Sequence, residues 1–484
     1  MQDLVFNFER TIPESLEIGK GAVWVFSGYC FHLTERVTRM SVLIGSMKCE
    51  IKHIGEVRED VAIKYRNVDE NGNSLGSGFW GMIPLNTSLI GRREEITCLV
   101  VTSSGNTFRR RIGEMEFTEI QREPILIKQQ ASSNQAPLVV VCMGTYEPDI
   151  AVFERQIQSI IDQQYPNWIC IVHDDGSDKD KRSMIQEICQ RDQRIFFRYA
   201  ATNRGFYWNF EACLRYVPEQ AEYIALADQD DYWYPNKLTA LVESIKDEVL
   251  LTYSDMRLMD DNGQTISNTY WSNRKNNFQN LHVLLLANTV TGAALMFKAT
   301  LLKEILPFPE RIGDAFHDHW IACSALYRGN INYVDRPLYD YLQHDRSVIG
   351  HCDFTTATQW ARLKHMVVVL THLLAVHKLK SSSLKLRNSF LGVYRHECRR
   401  IEVMAETMRI RSKPADSSKD GALKAYGGSI GSVLRLVWLH FYVWRNGDTT
   451  NGAELRLAGG YLASLLDRIG APFLRYSLRR ENCR

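Results

Sequence analysis

No Cys-x-x-Cys pair occurs in the 484 residues, and the eleven cysteines stand singly in a number that cannot all pair internally. That pattern argues against structural zinc or a disulfide framework and for a reducing compartment. The first residues, Met1-Gln2-Asp3-Leu4-Val5-Phe6-Asn7-Phe8-Glu9-Arg10, lack the basic start and long apolar core of a secretory signal. No uninterrupted apolar run reaches about 18 residues, the length a spanning helix needs. A cytoplasmic protein is expected, at most peripheral on the inner face of the cytoplasmic membrane. Charge of one sign is also scarce: 58 Lys+Arg against 56 Asp+Glu leave +2, which does not favour a nucleic-acid partner. With 45% hydrophobic and 24% charged residues, the composition excludes wholesale disorder.

What is present is enough chain for about three domains. Residues 1–130 carry short β-rich runs, Ala22–Phe26, Val61–Tyr65 and Ile96–Val101, separated by turn formers such as Asp69–Asn73 and Ser103–Asn106. Strands at that spacing predict an antiparallel β-sandwich with an accessory role, structural or interactive. A polar linker, Lys128 to Pro137, follows, and after it the pattern changes to alternating strands and helices. Leu138–Met143 reads as a buried strand, Ile150, Phe153, Ile157, Ile160 and Ile161 recur at helical spacing, and Trp168–Val172 is a second strand. Such a unit implies a parallel sheet with a right-handed crossover. Ligands of these sheets bind beyond the carboxyl ends of the strands, where Asp174, Asp175, Asp228 and Asp230 converge on one crevice.

The stretch Ala227-Asp228-Gln229-Asp230-Asp231-Tyr232-Trp233 sets three carboxylates directly after the apolar run Tyr223–Ala227. In an extended segment Asp228 and Asp230 point the same way and can share one hard cation, Mg²⁺ or Mn²⁺, bridging a diphosphate. The plainer alternative is a solvated acidic turn. An EF-hand is disfavoured, since its sixth position requires Gly and its twelfth Glu, where this chain has Trp233 and Thr239.

Four blocks in order, Val172-His173-Asp174-Asp175-Gly176-Ser177, Asn203-Arg204-Gly205, Asp228-Gln229-Asp230-Asp231 and His317-Asp318-His319-Trp320, resemble family-two glycosyltransferases of the GT-A fold, most of all bacterial rhamnosyltransferase-like members. The resemblance covers roughly residues 137–351. It implies a Rossmann-like α/β domain that binds a nucleotide sugar through Thr145, Tyr146, Glu147, Asp174, Asp175, Asn203, Gly205, Asp228 and Gln229. It also implies Mn²⁺ or Mg²⁺ on Asp228 and Asp230, with His344 as a third ligand or diphosphate contact, and Asp318 as the general base. Without the family, Asp174 and Asp175 read equally as a turn, Asp318 as a helix cap and His344 as a structural histidine. Ser347 and Asp345 depart from the Asn and Gly usual beside that histidine, which leaves the donor contacts of that loop open.

Beyond residue 352 the chain reads as helical to residue 484. A stripe of Trp360, Leu363, Met366, Val367, Leu370, Leu373 and Leu374 is followed by a polar break, Arg411–Gly421, and by the aromatic-rich run Val433–Arg445. With Arg468, Arg475, Arg479, Arg480 and Arg484 this makes a basic, aromatic tail suited to anionic lipid, or a bundle packed on the catalytic domain. The expected activity is inverting transfer of a sugar from a UDP- or dTDP-linked donor, rhamnose among the candidates. The expected acceptor is a glycan hydroxyl, with or without a lipid carrier, in O-antigen or capsule synthesis. An inactive GT-A scaffold, a carbohydrate-binding protein and a metal-dependent nucleotide-sugar hydrolase are the alternatives.

Overall fold

Up to Glu119 the chain folds into two sheets that share one core. The computed structural model describes residues 3–127, 136–260, 262–271, 275–342, 381–426, 430–447, 450 and 452–462, with the side chains of 381–395 and 430 left aside. One sheet orders Leu4–Phe8, Ala22–His32, Gly78–Leu85 and His53–Glu56; the other orders Ser15–Ile18, Thr107–Glu119, Arg93–Thr102, Val37–Ile44 and Met47–Glu50. Alternation explains the packing: Ile96, Cys98 and Val100 of one strand are fully buried at period two and meet Trp24, Phe26 and Phe79 from the facing sheet.

Val61–Tyr65, expected as a strand, belongs instead to a helix over Glu59–Tyr65. Glu59 and Asp60 in its first turn and Lys64 in its last suit the helix dipole, and only Val61 is buried. The apolar run was too short to distinguish the two periods.

The central sheet is built from β1 (Val139–Thr145), β2 (Trp168–Asp174), β3 (Ile195–Tyr199), β4 (Tyr223–Ala227), β5 (Tyr232–Trp233), β6 (Val249–Met259), β7 (Leu295–Lys298) and β8 (Asn330–Leu342). Their order is β3-β2-β1-β4-β7-β6-β8-β5, with the short strand Thr265–Ser267 added to β6. The first four run parallel, as the strand–helix–strand pattern predicts, but β7 is antiparallel to both β4 and β6, so the sheet is mixed. Its helices are α1 (Ile150–Ile161), α2 (Lys179–Cys189), α3 (Phe206–Arg215), α4 (Lys237–Ser244) and α5 (His317–Arg328). In α1 the expected stripe holds, with Phe153, Ile157 and Ile160 buried, and Asp149 caps it by accepting from the N–H groups of Ala151 and Val152. Helix α3 begins three residues before the expected start near Asn209, because Gly205, at φ +85°, turns the chain directly into it.

Helices α6 (Ser381–Arg411), α7 (Ser417–Leu423) and α8 (Ile430–Asn446) follow, and residues 453–462 are helical as well. The expected polar break therefore contains α7, which Asp416 caps, while Arg411 closes α6. Arg411 is buried and donates to the carbonyls of Gly21, Glu304 and Ile305, which pins α6 to the N-terminal sheets and to the central domain at one point. Residues 352–380, with the expected stripe, and the arginines from Arg468 on lie outside the described residues, as does the linker 128–135.

Candidate active site

Strands β1 and β2 end side by side at Thr145 and Asp174, and β4 ends two residues short of them, with Ala227 opposite Met143. The loops that leave these ends form the crevice. Thr145 closes β1 and is buried; its Oγ1 donates to Gln229 Oε1 at 2.7 Å, and the Tyr146 N–H donates to the same oxygen at 2.9 Å. Gln229 therefore splints the β1 loop to the acidic turn, while the Tyr146 ring stays 46% exposed over the opening. Glu147 has φ +44°, alone among the described non-glycine residues, and its carboxylate accepts from the Asp178 N–H at the start of α2.

The two carboxylates after β2 are turned toward their own loops. Asp174, wholly buried, accepts from the Ser177 N–H and hydroxyl and lies 3.4 Å from Arg182 Nε. Asp175 accepts from the N–H groups of Arg204, at 3.1 Å, and Gly205, at 2.7 Å, so it holds the Asn203–Gly205 loop against β2. Gly176 makes the turn at φ +82°, and a Cβ there would stand 2.8 Å from the Thr202 backbone. Asn203 is exposed and shapes the same loop by accepting from the Gly205 N–H.

The acidic turn lies on the far side of the crevice. Gln156 and Arg155 of α1 donate to the carbonyls of Asp228 and Asp230, fixing the turn from beneath. Part of the Asp228 surface is open, yet its carboxyl lies deep: burial, then the charges of Asp230 and Asp318, push it up to about 7, against the pull of Lys237. Asp231 is fully buried, neither carboxylate oxygen has a hydrogen-bond partner among the described residues, and burial with the neighbouring carboxylates holds it well above the usual range. Lys237 and Arg155 are cations that act on Asp231. Lys237 is wholly buried, donates to the Ala293 carbonyl at 2.6 Å, sits over the rings of Trp233 and Tyr339, and is brought down to about 7 by burial.

Asp318 opens α5 opposite that turn. Its oxygens accept from the Gly292 N–H at 3.0 Å and the His319 N–H at 2.6 Å, and burial raises it to about 7 although these two donors act the other way. The helix is capped at Phe316 without a side-chain bond, so Asp318 is held by its own turn and by the Gly292–Ala294 segment. Beside it His317 stacks on Phe210 at 3.8 Å with both ring nitrogens unpartnered among the described residues; burial takes it down to about 3 and keeps the ring neutral.

The charges of Asp230 and Asp318 thus act on Asp228, while Lys237 acts on both Asp228 and Asp231, and Arg155 on Asp231 as well. An all-oxygen donor set of this kind suits a hard divalent cation, and the Asp231 oxygens have no hydrogen-bond partner among the described residues. Among the described residues no group of three or more metal-capable side chains is gathered. His344, the expected third ligand, lies outside the described residues, as do Asp345 and Ser347.

Residues 140–306 match the model of glycosyl transferase family 2. That stretch of the central domain is similar to glycosyl transferase family 2. An uncharacterized glycosyltransferase of Methanocaldococcus jannaschii is 25% identical over 240 residues, 47% of this chain and 81% of that one. The Escherichia coli UDP-Glc:alpha-D-GlcNAc-diphosphoundecaprenol beta-1,3-glucosyltransferase WfgD is 25% identical over 201 residues, 41% of this chain and 73% of its own. Among solved structures, S. aureus TarS 1–349 overlays with a TM-score of 0.35 at 14% identity, covering 69% of this chain and 92% of that one. The family match leaves both flanks of the chain, the N-terminal sheets and the C-terminal helices, outside it.

Lys237, Gln156, Ser177 and Asn209, whose amide donates to the Thr145 carbonyl at 3.3 Å, contribute to the crevice without having been singled out as site residues in the sequence. Ser177 stood inside a recognised block, but Lys237 and Gln156 carry no spacing signal, because a buried lysine or glutamine within an amphipathic helix looks like any solvated one until the fold is known.

Proposed function

We propose that the protein transfers a glycosyl group from a nucleoside diphosphate sugar to a hydroxyl of a glycan, with inversion at the anomeric carbon. The observation that carries this reading is the placement of Asp318, raised to about 7 and held by the Gly292 and His319 amides, so that its charge acts on Asp228. A carboxylate poised near neutrality is suited to take a proton at the working pH. In the proposed step the acceptor O–H proton passes to Asp318, the acceptor oxygen bonds to the anomeric carbon from the face opposite the leaving group, and the bond to the diphosphate breaks. Asp228 and Asp230 would hold Mn²⁺ or Mg²⁺, whose charge offsets that developing on the departing diphosphate. Thr145, Tyr146 and Glu147 would contact base and ribose and Asn203 and Gly205 would flank the nucleotide, with Gln229 joining the first loop to the acidic turn. Asp174 and Asp175 contribute through the loops they hold. No covalent intermediate is needed, because a single displacement inverts the centre.

The name of the E. coli relative gives a UDP-linked donor and a diphosphoundecaprenol-linked acceptor. It supports a UDP-sugar donor and a lipid-linked glycan acceptor in cell-surface polysaccharide synthesis; a dTDP-sugar, rhamnose included, and action on the cytoplasmic side complete the proposal from the sequence resemblance alone. Residues 1–130 and 352–484 are read as accessory parts to a catalytic region over 137–351. A panel of nucleotide sugars with envelope glycan acceptors, with and without Mn²⁺, tests the proposal. A metal-dependent product of inverted configuration is expected; free sugar released without acceptor would instead mean a hydrolase, and no turnover of any donor a scaffold.

A further inference from the structure

Helix α8 is apolar on two faces, and only one of them is used. Leu436, Leu439 and Val443 point into the protein and are buried, and His440 pairs on that side with Glu454 at 2.8 Å. On the outer side Leu434, Val437, Trp438, Phe441, Tyr442 and Trp444 are between 37 and 67% exposed, with Trp438 and Tyr442 stacked on each other. Their spacing, 434, 437, 438, 441 and 444, is a continuous stripe along the helix. Arg435 and Arg445 stand exposed toward its two ends, and the segment Ile430–Asn446 contains no acidic residue.

We propose that this stripe is a docking surface for a bilayer with anionic headgroups, on which α8 lies parallel to the membrane. The aromatic residues are of the type that partitions into the headgroup region, where an apolar body and a polar tip are both accommodated. The arginines supply the charge complement to anionic lipid. A second copy of the chain is a poorer occupant, since a two-fold contact across this face would bring Arg435 and Arg445 of one copy toward the same arginines of the other, with no carboxylate on the helix to separate them. The helix does not cross: no described helix is long and apolar enough to span a membrane. The inference adds a place of action to the lipid-linked acceptor proposed above, but it does not depend on the donor chemistry.

The test is flotation of the full chain with phosphatidylglycerol-containing vesicles and with phosphatidylcholine vesicles at low and high salt, beside sedimentation to fix the oligomeric state and calorimetric titration of nucleoside diphosphate with Mn²⁺. Point substitution is preferable to deletion because the inner face of α8 belongs to the core. The wild-type protein is expected to float with the anionic vesicles and to be released by salt. Trp438→Ser/Phe441→Ser/Trp444→Ser should stay unbound, and Arg435→Gln and Arg445→Gln should each lower the affinity by about fivefold. The surface assignment is overturned if the wild type does not float at low salt, floats equally with neutral vesicles, or floats no better than the triple variant. It is also overturned if the triple variant turns a wild-type dimer into a monomer. Loss of nucleotide binding by the wild type would count against the transferase reading alone.

Discussion

The Lys237 ammonium donates to the carbonyl of Ala293 at 2.6 Å, and the residue before Ala293 donates its N–H to Asp318. One buried lysine thereby ties the acidic turn, where leaving-group charge would be held, to the segment that positions the proposed base. Its removal should be felt on both sides. Lys237→Met is expected to destabilise the fold, and the double variant with Asp231→Asn to depart from additivity by at least about 1 kcal/mol, as groups in one buried network do. Denaturant unfolding of the two single variants and the double variant measures this; additive effects would mean that the lysine serves Ala293 alone.

Asp230→Ala should abolish metal-dependent binding of nucleoside diphosphate, because the remaining Asp228 is one carboxylate where two are needed to hold a hard cation. Calorimetry with and without Mn²⁺ reads the effect. Unchanged affinity would remove the acidic turn from the metal assignment.

The raised Asp228 carboxyl gives that binding a pH dependence. Its proton must leave before a cation can bind, so Mn²⁺ affinity should fall as the pH drops through about 7, by up to about tenfold per pH unit. The same direction of shift at Asp318 sets a stability effect of opposite use. Above the ordinary carboxylate range the unfolded group is ionised, while the folded one keeps its proton until about 7; the wild type therefore loses stability as the pH rises toward 7. Thermal melts of metal-free Asp318→Asn should compare more favourably with wild type at pH 8 than at pH 5.

Asp175 accepts from two backbone N–H groups of the Asn203–Gly205 loop. Asp175→Ala leaves both donors without it and should cost about 1–3 kcal/mol in stability, with a raised donor KM as the loop loosens. Asn203→Ala, at an exposed position, should stay within about 0.5 kcal/mol of wild type. Equal melting temperatures for the two variants would contradict the assigned roles.

How much of this could be read in advance differed by region. Helix α1 declared itself because it is long enough to show its period, and strands β1, β2 and β4 because each is a continuous apolar run that ends in a loop carrying polar residues. Val61–Tyr65 misled because five residues fit either period. The antiparallel β7 was hidden because direction within a sheet depends on where the chain re-enters it, which no local pattern records. Asp174 and Asp175 looked like ligand contacts, and their carboxylates turn out to be engaged by Ser177, Arg204 and Gly205. Asp231, without a hydrogen-bond partner among the described residues, and the lysine whose charge acts on it emerge only from tertiary packing.

The central claim rests on Asp318, and turnover of Asp318→Asn at saturating donor and acceptor tests it most directly. The amide keeps one of the two backbone contacts, so the fold should survive at a cost of about 0.5–1.5 kcal/mol and donor binding should persist. As a general base Asp318 is worth about 10²–10⁴ in rate, and the variant should lose that much. Transfer within roughly tenfold of wild type, well short of that contribution, would contradict the assignment.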